Sequence, residues 1–253
     1  MNNPIEKTKS APLFSIVTPA YNEEKVLGKA LTDLRERLTD FSYEIIISDD
    51  GSTDKTAEIA REYADKVILS PDPTIHLIPK TRNRGGQAAE GKYIMFMDSG
   101  VFIEKPNEFF KRVVDNFEKD PKLVAQTVKL RVFPELATLS DRFIFWVVDV
   151  VFVFLNNIIG SGGASGKFMA VRREAFEKIR GFDERMAVAE DNDFFWRLAK
   201  IGKTRIDWSL LAYHEGRRAH ALGWPKLLYQ WARNAWSVKF SGKSADKEWK
   251  PIR

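Results

Sequence analysis

Carboxylates and arginines stand in six short polar stretches of this chain. They are Thr18-Pro19-Ala20-Tyr21-Asn22-Glu23-Glu24, Asp49-Asp50-Gly51-Ser52-Thr53-Asp54, Arg82-Asn83-Arg84-Gly85-Gly86, Asp98-Ser99-Gly100, Glu190-Asp191-Asn192-Asp193 and His214-Glu215-Gly216-Arg217-Arg218. A carboxylate can hold a hard cation or take a proton from a hydroxyl, and arginine pairs with phosphate oxygens. Each stretch alone also has an ordinary reading. The first is a turn and helix start whose acids complement the helix dipole. The second is a turn in which Ser52 or Thr53 caps the following helix. The acids at 190–193 suit any first helical turn, and two adjacent arginines are commonly solvated surface charge. Order along the chain favours the chemical reading, because the first four stretches fall at the ends of alternating strands or just ahead of one.

The elements that must position them follow from periodicity. Leu13 to Thr18 is a short apolar, β-branched run ended by Pro19, which reads as a strand. Val26, Leu27, Ala30, Leu31, Leu34 and Leu38 then fall on one helical face. Tyr43 to Ser48 is a second strand, Asp54 to Tyr63 a helix, Lys66 to Leu69 a third strand and Lys92 to Met97 a fourth. Strands alternating with helices predict an α/β fold with a mostly parallel, doubly wound sheet flanked by helices. Ligands in such sheets sit beyond the carboxyl ends of the strands.

The second half is less regular. Leu123 to Val132 and Phe168 to Val171 read as strands, and Asp191 to Lys200 as a helix ended by Gly202. Phe143 to Leu155 is apolar except for Asp149. That run is shorter than the ~20 residues a bilayer span needs. It is expected to be a buried helix or strand, with a membrane-facing element as the alternative. After Gly223, the residues Trp224, Leu227, Leu228, Trp231, Ala235 and Val238 form a helical stripe, with Lys226, Arg233 and Lys239 outside it. Pro225 suits the first turn. Tryptophan and tyrosine beside lysine and arginine match an interfacial membrane anchor; packing onto the domain is the rival expectation.

The 253 residues are 44% hydrophobic and 30% charged, enough for one large folded domain. Cysteine is absent, which excludes disulfides, zinc–thiolate sites and thiol nucleophiles. Residues 1–12 are polar and are expected to carry no signal peptide. A net charge of +5 is compatible with an anionic partner such as a nucleotide diphosphate, a lipid surface or nucleic acid. No helix–turn–helix, zinc-finger or RNA-recognition pattern accompanies it, so nucleic acid is not expected. The first strand is not followed by G-x-G-x-x-G, which argues against a dinucleotide-dependent oxidoreductase. A glycine-rich, arginine-containing loop of the nucleotidyltransferase kind is missing there too.

Taken together, residues 15–24, 44–56, 82–98, 166–184, 190–203 and 214–218 resemble the family 2 glycosyltransferases, whose fold is the glycosyltransferase-A α/β sandwich. The resemblance covers about residues 13–220. It implies a nucleotide-sugar donor, UDP- or GDP-linked, and inverting transfer to an acceptor hydroxyl on a glycan or lipid-linked molecule. Pro19, Tyr21, Glu23 and Asp50 then match the nucleotide pocket, and Arg84 lies close enough to the donor to meet its phosphates. Asp98 and Ser99 match the start of the family's D-x-D element, where magnesium or manganese bridges the diphosphate. Asp191 matches the catalytic base, with Glu190 beside it. A helix N-terminus is expected to lower the pKa of Asp191. His214 matches a metal ligand, and Arg217 and Arg218 match a loop over the diphosphate. Gly160 to Gly166 and Lys167 are expected to shape the acceptor side.

The second acid of D-x-D is replaced by Gly100. Three consequences are open: metal bound with Asp98 as the single acid, beside a donor phosphate, water and His214; compensation by Arg217 and Arg218; or a catalytically impaired nucleotide-sugar or lipid-binding protein. The Q-x-x-R-W pattern of processive synthases is missing after Arg218, which points to single addition. The resulting organisation is a polar tail (1–12), a transferase domain (13–222) and an amphipathic helix with a basic tail (223–253). The domain divides into a nucleotide-binding half (13–100) and an acceptor half (101–222). The expected location is cytoplasmic, with peripheral membrane contact through 143–155 and 224–240.

Overall fold

The computed structural model describes residues 11–246; the start of the polar tail (1–10) and the end of the basic tail (247–253) lie outside them. Strands β1 (Phe14–Ala20), β2 (Tyr43–Asp49), β3 (Lys66–Leu69), β4 (Tyr93–Met97), β5 (Leu123–Val132), β6 (Phe168–Arg172) and β7 (Lys203–His214) form one sheet. Its order is β3-β2-β1-β4-β6-β5-β7. Four neighbouring pairs are parallel, and β6 alone runs antiparallel to both of its neighbours. The expectation of a mostly parallel sheet flanked by helices holds.

The central strands β4 and β6 are apolar on both faces because both are covered. Along β4, Tyr93, Met95 and Met97 belong to one core, while Ile94 and Phe96 belong to the other. Helices α1 (Leu27–Arg37) and α4 (Pro106–Lys119) line the first face; α6 (Arg173–Lys178) and α7 (Glu190–Ala199) line the second. The remaining β3-side crossovers are α2 (Thr56–Tyr63) and α3 (Ile78–Gln87).

The Arg82–Gly86 stretch lies within α3. Its glycines set how close that helix comes. A Cβ on Gly85 would stand 2.4 Å from Val17, and one on Gly86 would stand 2.6 Å from Phe176. A side chain at Gly85 would push α3, with Arg82 and Arg84, away from β1, and one at Gly86 would run into Phe176 of α6.

Helix α5 (Leu139–Val153) continues as a π-helical turn over Phe154–Ile159. The expectation that this run is buried is corrected here. Only Asp141, Phe145 and Asp149 of α5 are buried, whereas Phe143, Trp146, Val150, Val151 and Phe154 are exposed. With its extension the helix runs 21 residues, longer than the apolar run alone indicated and long enough by length and composition to cross a bilayer. In this fold it lies along the domain, with Asp149 paired to Arg131 of β5 at 2.6 Å.

Asp141 joins this helix to the two that follow the last strand, α8 (Arg217–Leu222) and α9 (Trp224–Ser241). Its carboxylate accepts from Thr138 N–H and from the Thr138 hydroxyl, both at 2.8 Å. It also bonds His220 Nε2 at 2.9 Å and accepts from Trp224 Nε1 at 2.8 Å. Burial alone would raise this carboxyl, but the bonds to His220, Thr138 and Trp224 hold it down at about 2. Removing any partner leaves a buried carboxylate under-satisfied.

Candidate active site

The loops after β1 and β2 are locked together. Asn22, in the left-handed region (φ 52°), accepts from Thr53 N–H at 2.8 Å and donates its own N–H to Ser52 Oγ at 2.9 Å. Glu23 N–H donates to Thr56 Oγ1 at 2.7 Å. Asp49 is consumed in shaping the turn, accepting from Gly51 and Ser52 N–H. Asp50 is buried, and its carboxylate accepts from Thr81 at 2.6 Å and from Arg84 at 2.9 Å. Arg84 thus pairs with the acid expected to meet the base, where the sequence reading had it meet phosphate. His76, given no role from sequence, has its ring centroid 4.2 Å from that of Tyr21 and its Nδ1 2.9 Å from the Asp50 carbonyl. Tyr21, His76, Asp50 and Arg84 make a ring-and-carboxylate corner beyond β1 and β2.

A second centre lies beyond β4 and β6, organised by Arg82. This guanidinium is buried and donates to Glu190 at 2.6 Å, to Asp98 at 3.3 Å and to the Gly166 carbonyl at 2.8 Å. Gly166 N–H donates to Asp191 at 2.6 Å, and Lys167 Nζ lies 3.3 Å from the other Asp98 oxygen. Asp98 N–H also donates to the Lys167 carbonyl at 3.1 Å. Two consecutive residues therefore tie Asp98 to Asp191, although 93 positions (191 − 98) separate them in the chain. Lys167, expected on the acceptor side, stands on Asp98 instead. Ser99 is buried beside Asp98.

Ala189 precedes this acid pair with φ 62°, an uncommon conformation for a residue with a Cβ. It starts α7 so that Glu190 turns inward to Arg82 while Asp191 stays partly exposed. Asp193 pairs along the helix with Arg197 at 2.7 Å and takes no part in the centre.

Charge follows burial here. The Glu190 carboxyl is pushed up by burial and by the Asp191 charge, with Arg82 opposing. Burial also raises Asp191 above its ordinary value, against Arg82 and the Asn192 and Gly166 N–H groups. That corrects the expectation of a lowered value: loss of water at Asp191 outweighs the helix N-terminus. Asp98 goes the other way. Burial would raise it, but Lys167 and Arg82 together hold it down and ionised.

The loop after β7 closes the site. His214 is buried, and its Nδ1 accepts from Gly216 N–H at 2.9 Å. That bond puts the imidazole proton on Nε2, so Nε2 offers no lone pair. Burial first, and Lys167 next, lower His214 to about 3, so the ring is neutral. Arg217 lies 3.0 Å from Glu215 and 3.8 Å from Glu23. A Cβ on Gly100 would stand 3.4 Å from its guanidinium. Arg218 is half-buried on α8, and Pro19 sits at the β1 end.

Magnesium and manganese want several hard oxygen ligands, carboxylates above all. The donor set here is one carboxylate whose two oxygens each face a cation, and one imidazole whose free nitrogen carries the proton. Among the described residues no group of three His, Asp or Glu could hold a metal ion. As arranged, these residues do not fit a divalent cation.

Arg82 and His76 were given no role from sequence, and Lys167 was expected on the acceptor side. Arg82 had a signal: it lies three and four positions before Gly85 and Gly86, on the helix face that approaches the sheet. His76 had none, and nothing local paired Lys167 with Asp98, since long-range folding brings each to its partner.

Residues 15–180 match the family model described as Glycosyl transferase family 2. The chain is 29% identical to the "Probable glycosyltransferase YdaM" of Bacillus subtilis over 218 residues, covering 78% of this chain and 49% of that protein. It spans no more than about half the length of the first curated relatives it matches. In fold it is similar to a mannosyltransferase from Pyrobaculum calidifontis in complex with GDP-Man and Mn2+, with TM-score 0.63, 19% identity, and 81% of this chain and 57% of that one covered. It is also similar to residues 1–349 of Staphylococcus aureus TarS in complex with UDP-GlcNAc, with TM-score 0.59, 20% identity, and 79% and 57% coverage.

Proposed function

The chain belongs to glycosyl transferase family 2, and on that premise we propose that it transfers a sugar from a UDP- or GDP-linked donor to an acceptor hydroxyl, inverting the anomeric carbon. The observation that carries this reading is the Gly166–Lys167 link, which holds Asp191 and Asp98 on either side of Arg82. In the reaction, the acceptor oxygen forms a bond to the anomeric carbon as its proton passes to Asp191. The bond from that carbon to the phosphate oxygen breaks, and its electron pair leaves with the nucleoside diphosphate. A carboxyl raised toward working pH is a better proton acceptor than an ordinary aspartate. Glu190 acts through Arg82 as a positioning residue.

The nucleotide-binding half (13–100) supplies the base corner: Tyr21 offers a ring for stacking, Asp50 and Glu23 accept from base or ribose, and Pro19 and Arg84 line it. Asp98, Ser99, Arg217 and Arg218 face the diphosphate, and the acceptor half (101–222) receives a glycan or lipid-linked hydroxyl for single addition. Neighbours that hold GDP-Man and UDP-GlcNAc support the donor class. The metal ligation read for Asp98 and His214 draws support from the Mn2+ of one neighbour and none from the donor set here. An intact, hydrogen-bonded Asp191 favours transfer over the non-catalytic alternative. Release of UDP or GDP from a panel of nucleotide sugars tests the proposal, with the anomeric configuration of the product read by proton coupling. A retained configuration, or no release from any donor with glycan and lipid-phosphate acceptors present, would refute it.

A second reading concerns place. The exposed Phe143, Trp146 and Val150 of α5 and Phe154 of its π-helical extension, with Tyr229 and Trp236 of α9, accompany exposed Arg142, Lys226 and Arg233. Apolar and aromatic side chains among basic ones suit an anionic bilayer surface, so we propose peripheral contact on the cytoplasmic membrane face. Co-sedimentation with phosphatidylglycerol vesicles, lost in Trp146→Glu, tests it. Concentration-dependent dimerisation without vesicle binding would assign the face to a second copy instead.

A further inference from the structure

Both positions at which the family's D-x-D element would present acids to a metal are covered by protein cations. Lys167 Nζ stands 3.3 Å from Asp98, and the Arg217 guanidinium stands 3.4 Å from where a side chain on Gly100 would begin. We propose that this chain holds and stabilises the leaving diphosphate with Lys167 and Arg217, so that donor binding does not require a divalent cation. The inference rests on the nucleotide-sugar reading above and goes beyond it.

Three features point the same way. Arg82 is held by Glu190 and one Asp98 oxygen, so of the two cations on Asp98 it is Lys167 that can turn toward a ligand. Lysine has a flexible stem and a compact charge, so Nζ can pass from the Asp98 carboxylate to a phosphate oxygen with little loss. His214 Nε2 is buried and has no partner, and the bond that Nδ1 accepts from Gly216 makes Nε2 a donor. A donor there suits a phosphate oxygen and repels a metal. Arg217 adds a planar, permanently charged fork that pairs with phosphate oxygens. A dication at Asp98 would instead have to displace Lys167 from a carboxylate whose other oxygen already faces Arg82.

In the transfer step the bond from the anomeric carbon to the phosphate oxygen breaks and its electron pair remains on the diphosphate. Lys167 and Arg217 receive that charge; the acceptor proton stays with Asp191, and nothing is oxidised or reduced.

Calorimetric titration of the full chain with UDP and with GDP, in EDTA and in millimolar manganese, tests the proposal. The better nucleotide is expected to bind in EDTA, with a Kd within about threefold of that in manganese. Lys167→Met should weaken binding in EDTA by about tenfold or more, while Lys167→Arg keeps the charge and stays within about threefold. Arg217→Met gives a second reading should Lys167→Met melt early. Binding seen only with manganese would overturn the inference and leave the donor site standing. Tighter manganese-dependent binding by Lys167→Met would overturn it as well. No binding of either nucleotide under either condition would overturn the donor-site reading itself.

Discussion

Replacing Arg82 by methionine is the most informative perturbation of the site's architecture. The guanidinium is 2% exposed and bonds Glu190 at 2.6 Å, with Asp98 and the Gly166 carbonyl as its other partners. Methionine fills a similar volume but leaves Glu190, 7% exposed, without its counter-charge. Breaking a buried pair by removing one partner costs about 3–5 kcal/mol. For a chain of this size each kcal/mol lowers the melting temperature by roughly 2–4 °C, giving a drop of about 6–20 °C. The loss should also depend on pH with a defined sign. Glu190 is already raised by burial, and Arg82 is the charge opposing that rise. Without it the carboxyl rises further. A raised carboxyl contributes stability that is fully present below its unfolded value and lost as pH rises through its folded one. The deficit is therefore smallest in acid and widens toward alkaline pH. Arg82→Met/Glu190→Gln should recover most of it, because position 190 then carries no buried charge that needs Arg82. Urea denaturation of the four proteins in the cycle, from pH 5 to pH 9, measures all of this. A deficit that is flat with pH, or a double variant no more stable than Arg82→Met, would refute the argument that Arg82 serves as counter-charge to Glu190.

Two further predictions concern the base corner and the helices behind the site. Tyr21→Ala removes the ring that faces His76; a lost stacking platform costs ~1–3 kcal/mol, so the Kd of the preferred nucleotide should rise about 5- to 150-fold by calorimetry. Asp141→Asn should destabilise the packing of α5, α8 and α9. Its carboxyl sits at about 2 against an ordinary 3.8, a gap of ~2.5 kcal/mol at ~1.4 kcal/mol per pH unit. A lowered carboxyl gives stability that is present above its unfolded value and lost as pH falls through its folded one. The wild type and Asp141→Asn should therefore differ at neutral pH and converge between about pH 4 and pH 2 in chemical denaturation.

Local periodicity made the first half of the fold legible. Strands β2, β3 and β4 are short apolar runs that lie within a residue of where that periodicity put them, whereas β1 runs through Pro19 to Ala20, with Pro19 beside Ser48 of β2. Apolarity alone misled at α5. It has the composition of a buried helix, yet its outer face is exposed, and the signal for its true setting was the lone acid. Asp149 marks the stripe that turns inward to Arg131. The acids of the site were readable from their place at strand ends. Their state was not, because burial at Asp191 and the approach of Lys167 to Asp98 depend on β6 inserting antiparallel between β4 and β5. That insertion carries residues 165–167 across the site, and no local pattern announces it. Gly100 read as a missing acid; beside Arg217 it is the room that a guanidinium occupies.

The central claim is that Asp191 takes the acceptor proton. Its most direct test compares the rate of nucleoside diphosphate release by the wild type and by Asp191→Asn with the best donor and acceptor at saturation. Asparagine keeps the shape and can still accept from Gly166 N–H, but it cannot take a proton. The account predicts turnover lower by about 10²- to 10⁴-fold, with nucleotide affinity within about threefold of the wild type. Equal turnover by the two proteins would contradict it.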